Sequence, residues 1–267
     1  MKNPVWLRLV LALVLIQALL IGQALVWPHQ ITAVLPWAAS PLNARFIASL
    51  YWMGAISVIL CIFAQRYAEL RITLVEIGLL TGGLLLLTLP HLGEFSAETF
   101  PYRWLIFYTL DPLLIGLILW RMRGRDPAPA GRNAFAPLFI GYAAVLAIVG
   151  LILLALPMLA ARLWPWALPP ILGQVYSVFF LTFAVGGLLA ARETAWAGVW
   201  VYVLANLALL LLIITVSLYH SDRFKPGPPT WVWYSVCLIG AIGFAAAVRY
   251  RLKADRRILP PVKEIRD

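Results

Sequence analysis

The chain has 267 residues, 63% of them hydrophobic and only 12% charged, with a formal net charge of +10. An apolar share so far above the roughly 45–50% of soluble domains excludes a water-soluble globular fold, and the mean hydropathy of +0.90 agrees. The positive charge, which in a soluble protein would point to nucleic acid, instead follows the bias that keeps Lys and Arg on the cytoplasmic side of a membrane protein.

A hydrocarbon layer about 30 Å thick is crossed by around 20 apolar residues of helix, because a helix satisfies its own backbone amides where no water can. Eight segments meet this requirement, at about 7–27, 46–64, 72–90, 104–120, 134–157, 172–191, 197–218 and 231–249. The first follows Lys2 and Arg8 in the manner of a secretory signal, but it is too long and no small-x-small cleavage pattern follows. It is expected to remain as a helix. The second carries Cys61 and the eighth Cys237, at different expected depths, so a disulfide between them is not expected.

The third segment contains Glu76 in "LVEIGLLTGG" and the pair Gly78 and Gly82, a G-x-x-x-G spacing that permits close helix contact. The fourth contains Asp111 in "YTLDPLLIG" and the seventh Asn206. Acids inside a membrane span are costly and are functional candidates for that reason. Glu76, Asp111 and Asn206 are therefore a candidate ion or proton path. A milder reading stands beside it: Glu76 lies about one and a half turns from Arg71 and could snorkel to the surface. Asp111 before Pro112 reads as an N-cap, which predicts a broken or late-starting fourth helix.

With the amino terminus inside, five cations (Arg45, Arg103, Arg162, Arg223 and Lys225) fall in outer segments. The other 16 of the 21 Lys and Arg residues fall inside. Both termini are thus expected in the cytoplasm of a bacterial-type inner, or plasma, membrane. The tail "RYRLKADRRILPPVKEIRD" is a candidate for contact with anionic lipid headgroups, and no nucleic-acid partner is expected.

Shifting the sequence by 129 residues lays Pro36 and Trp37 on Pro165 and Trp166, His91 on His220, Phe95 on Phe224, and Trp104 on Trp233. Rare residue types in register over a whole half indicate an internal repeat. The expected architecture is an all-α polytopic membrane protein of eight transmembrane helices in two parallel four-helix repeats, residues 1–132 and 133–267, related by an axis along the membrane normal. The tryptophans near span ends, Trp27, Trp37, Trp104, Trp164, Trp166, Trp231 and Trp233 outside and Trp6, Trp120, Trp196 and Trp200 inside, are read as aromatic belts.

The segments "LPWAASPLNARFIASLYWMGA", "RYAELR", "HLGEF" with "RWLIFY", and "WPWALPP" resemble a group of uncharacterised bacterial multi-pass membrane proteins. The resemblance supports the repeat and implies no chemistry.

All three histidines, His29, His91 and His220, fall on the expected outer face. His91 in "PHLGEF" and His220 in "YHSDRF" close long helices, with Glu94 or Asp222 close by. A histidine complements the negative end of a helix. Alternatively, the repeat brings His91 and His220 together with Glu94, Asp222, Phe95, Phe224, Trp104 and Trp233 as a ligand site, or with His29 as metal or haem ligands. Three functions follow: binding or transport of a small or lipophilic ligand at the outer face between the repeats; a membrane-bound enzyme or redox component using His91 and His220; or a structural subunit beside partner membrane subunits. No catalytic motif selects among them, and no cofactor is identified.

Overall fold

The structure, a computed structural model, describes residues 4–33, 35–95, 100–124 and 133–258. The expected linker between the halves, at 125–132, and residues 259–267 of the basic tail lie outside the described residues.

Among the described residues nine α-helices follow in order: α1 Val5–Gly22, α2 Pro41–Phe63, α3 Tyr67–Thr88, α4 Tyr102–Met122, α5 Ala136–Ala155, the short α6 Pro157–Leu163, α7 Pro170–Arg192, α8 Trp200–Tyr219 and α9 Pro228–Ile258. Eight of them are long and apolar enough to cross a membrane, so the chain is a multi-pass membrane protein. Ser40 shows how such a helix starts: its hydroxyl accepts the Asn43 N–H, and Pro41 occupies the first turn, where its missing N–H costs nothing.

α2, α3, α7 and α8 form the centre. α2 packs on α8 and α3 on α7, while α1 covers α2, α4 covers α3, α5 covers α7 and α9 covers α8. The layering is visible in burial: 67% of the apolar stretch of α7 is enclosed but only 22% of that of α5. The outer helices turn Leu and Ile outward, an arrangement that suits hydrocarbon surroundings.

Several contacts recur 129 positions apart. Trp37 meets Trp104 edge-on at 5.8 Å, and Trp166 meets Trp233 edge-on at 5.0 Å. The Trp104 indole donates to Thr88 Oγ1 at 3.1 Å, and that of Trp233 to Ser217 Oγ at 3.0 Å. Arg45 Nε donates to the Leu25 carbonyl, and Gln174 Nε2 to that of Leu154. Gly78 and Gly82 sit close against Ile115 and Pro112 of α4, as their spacing predicts.

The fifth span is one helix, α5, which ends at Ala155: Leu156 leaves helical geometry and Pro157 starts α6, because a proline disfavours the α conformation in the residue before it. Two expectations need correction. The fourth helix is neither broken nor late, since α4 passes through Asp111 and Pro112 without interruption. One missing N–H is tolerated in a span whose neighbours can re-satisfy the freed carbonyl. Finally, Trp37, Trp104, Trp164 and Trp166 are buried in the core, whereas Trp6, Trp27, Trp120 and Trp231 are exposed as a belt requires.

Candidate functional site

Among α1–α4 lies a small chamber of about 60 Å³, with Phe183 of α7 on its far side. Its polar wall includes Gln17, Tyr51, Thr81, Tyr108, Glu76 and Asp111. Both carboxylates are buried, at 6% and 3% exposure, so Glu76 does not snorkel. Asp111 Oδ1 accepts from Gln17 Nε2 at 3.4 Å, while Asp111 Oδ2 and Glu76 Oε1 accept no hydrogen bond from any described residue. The Tyr51 and Tyr108 hydroxyls bond one another directly. Beside them Trp104 stacks on Tyr108 at 3.9 Å.

Gly186 of α7 makes the pocket for Glu76, because a Cβ there would fall on the carboxylate. Asn206 is fully buried on α8 but lies apart from the chamber wall. Its amide donates to the Tyr202 carbonyl of its own helix at 2.9 Å. The arrangement thus joins Glu76 and Asp111 in one chamber and leaves Asn206 outside it.

The histidines occupy one end of the bundle. His29 lies in the helical turn Pro28–Ala33 and His91 in Leu89–Glu94, whereas His220 follows α8 directly. His220 Nε2 is 2.9 Å from Arg45 Nη1. A guanidinium has no acceptor, so Nε2 must accept and the ring proton sits on Nδ1. Partial burial and the neighbouring Arg45 charge both lower the His220 pKa, in keeping with this neutral tautomer. Arg45 also lies over the Tyr219 ring at 4.9 Å.

His220 and Asp222 border a cleft of about 430 Å³ between the first half, at Ser40, Pro41 and Leu42, and the second, at Trp166 and Ala167. Asp222 there pairs with the exposed Arg223 at 3.0 Å. Phe224 packs on Trp166 at 5.1 Å, and Trp233 on Phe46 at 5.6 Å. Trp104 belongs instead to the chamber side, and the Glu94 side chain lies outside the described residues. Among the described residues no group of three or more His, Cys, Asp or Glu side chains is placed to hold a metal ion. Cys61 and Cys237 are both free and buried.

Two connections between the halves were not singled out in the sequence. Beneath the cleft, buried Asn43 of α2 accepts at Oδ1 from Trp166 Nε1 at 2.7 Å and from the Tyr176 hydroxyl at 2.8 Å, while its Nδ2 donates to the Ala167 carbonyl at 3.2 Å. At the opposite end of the bundle Arg71 of α3 pairs with buried Glu193, just after α7. The only signal of either is a polar residue at the edge of an apolar run, with a partner more than a hundred residues away.

Comparison with protein families, with curated proteins and with solved structures finds no match for this chain.

Proposed function

We propose that the chain is an inner-membrane transporter or ligand-binding protein built from two parallel four-helix halves, with both termini cytoplasmic. A small ligand enters at the cleft between the halves, and a proton or small cation is exchanged at Glu76 and Asp111. The observation that carries this reading is the chamber itself: two buried carboxylates, each with an oxygen unused by the protein, lining one space within membrane-spanning helices. Acids so placed, facing a cavity inside membrane-spanning helices, mark ion and proton pathways.

Size divides the roles. The 60 Å³ chamber exceeds the roughly 10–15 Å³ needed for one water but falls far below the roughly 300–1,000 Å³ of organic-ligand sites. It suits a proton, a cation or a few waters. The 430 Å³ cleft at His220 is within the organic range and joins both halves, as a site at a repeat interface would. The contacts that recur 129 positions apart, with the exchanged pairing of α2 with α8 and α3 with α7, support the repeat.

The test needs no knowledge of the ligand. Protein in vesicles on a solid-supported membrane is given a pH jump and the displaced charge is measured. The native chain should give a transient that falls severalfold in Glu76→Gln and in Asp111→Asn and vanishes in the double variant. Equal transients from all four proteins would overturn the exchange.

A further inference from the structure

The second half has a chamber of its own, about 430 Å³ in volume, among α5, α7, α8 and α9. Part of its wall stands at positions that line the carboxylate chamber 129 residues earlier. Leu146 replaces Gln17, Phe180 replaces Tyr51, Leu210 replaces Thr81 and Cys237 replaces Tyr108. The two acids are lost as well, since Glu76 and Asp111 correspond to Ala205 and Gly240. One site has thus become ionisable and small, the other apolar and large, with Phe183 bordering both.

The apolar chamber opens sideways. α5 and α9 close on each other where Tyr142 meets Phe244 at 5.0 Å and Leu138 lies over Gly243. Toward the histidine end the wall is Val145 of α5 with Val232 and Val236 of α9, all three still exposed on membrane-spanning helices. What adjoins that opening is hydrocarbon, and water would find few of the two to four polar partners it needs inside.

The rim is cationic. Pro165, part of the wall, accepts the Lys225 N–H at 2.7 Å, and Lys225 Nζ donates to the Ala161 and Arg162 carbonyls at 3.2 and 3.1 Å. An ammonium has three donors, so one remains. Arg162 is exposed beside it, and neither cation has an acidic partner among the described residues.

We infer that this chamber holds one acyl chain of a bilayer glycerophospholipid, whose phosphate lies at Lys225 and Arg162. The apolar wall and side opening admit the chain, the volume is that of a ligand site, and the paired cations supply charge-assisted donors to a phosphate at the membrane surface. The site goes beyond the exchange at Glu76 and Asp111 and stands without it.

Photocrosslinking of the full chain in phosphatidylglycerol vesicles, with a phospholipid carrying a diazirine in its acyl chain, tests this. Peptide mapping should find label on Phe183, Leu210 and Cys237, which are buried from annular lipid, and Val236→Trp should remove it while label on the exposed Ile239 and Ile242 persists. The double variant Arg162→Gln/Lys225→Gln should need about tenfold more probe for the same inner labelling, equivalent to about 1.4 kcal/mol. Label confined to exposed residues in the native chain would overturn the chain site, a reading that does not depend on any variant folding. Inner labelling unchanged in the double variant, or matched by a diazirine alkane without a phosphate, would overturn the headgroup assignment.

Discussion

Glu76 can be buried where it is because position 186 lacks a side chain. Gly186→Ala would drive a methyl group into the carboxylate, an overpacking that costs about 1–3 kcal/mol. The expected result is a lowered midpoint of thermal unfolding in detergent, restored when Glu76→Ala is added. At the histidine end the sensitive group is His220, whose pKa is lowered by burial and by Arg45. The folded protein prefers the neutral ring, so this residue's contribution is fully present above the unfolded value of about 6.5 and is lost as pH falls below it. Thermal midpoints measured from pH 8 to pH 5 should fall more for the native chain than for His220→Gln, whose amide oxygen still accepts from Arg45. Parallel curves would remove the neutral imidazole from the account.

Between α2 and α7 the hydrogen bonds converge on a single amide. Asn43→Leu, which installs the residue type found 129 positions later at Leu172, strips the Trp166 indole and the Tyr176 hydroxyl of their acceptor. Each stranded group costs about 1–3 kcal/mol, and a matching drop in thermal midpoint is expected. Where the elements lie was legible in the sequence, because a run of about 20 apolar residues has few alternatives to a spanning helix. The fate of Asp111 was not. The cap rule that suggested a helix start assumes a helix end near water, and α4 has none there. The tryptophans misled for a related reason: Trp37 and Trp27 look alike at a span end, and only packing decides which faces protein and which faces lipid. The chamber was half visible. Glu76 and Asp111 stood out as acids in apolar runs, but Tyr51, Tyr108 and Gln17 became part of it only through contacts between helices.

At the level of the whole molecule, each half's central helices pack against those of the other, α2 on α8 and α3 on α7. The larger core cluster therefore draws on both halves. Residues 1–124 and 133–267 produced as separate chains in one cell should copurify as a complex, while either alone should aggregate in mild detergent. Stable monodisperse halves, each purified without the other, would contradict this dependence. The two halves carry matching clasps at their ends, Trp104 on Thr88 and Trp233 on Ser217, and differ between them, where one chamber holds two acids and the other is lined with hydrocarbon.

The Trp104 ring, stacked on the Tyr108 ring whose hydroxyl meets Tyr51 at the chamber, gives the protein an optical gauge of its own. An indole's emission follows the charge and polarity around it, so ion entry or proton loss beside Tyr108 should be written into the ultraviolet fluorescence of one residue. The difference in emission between the native chain and Trp104→Phe isolates that signal without any attached dye.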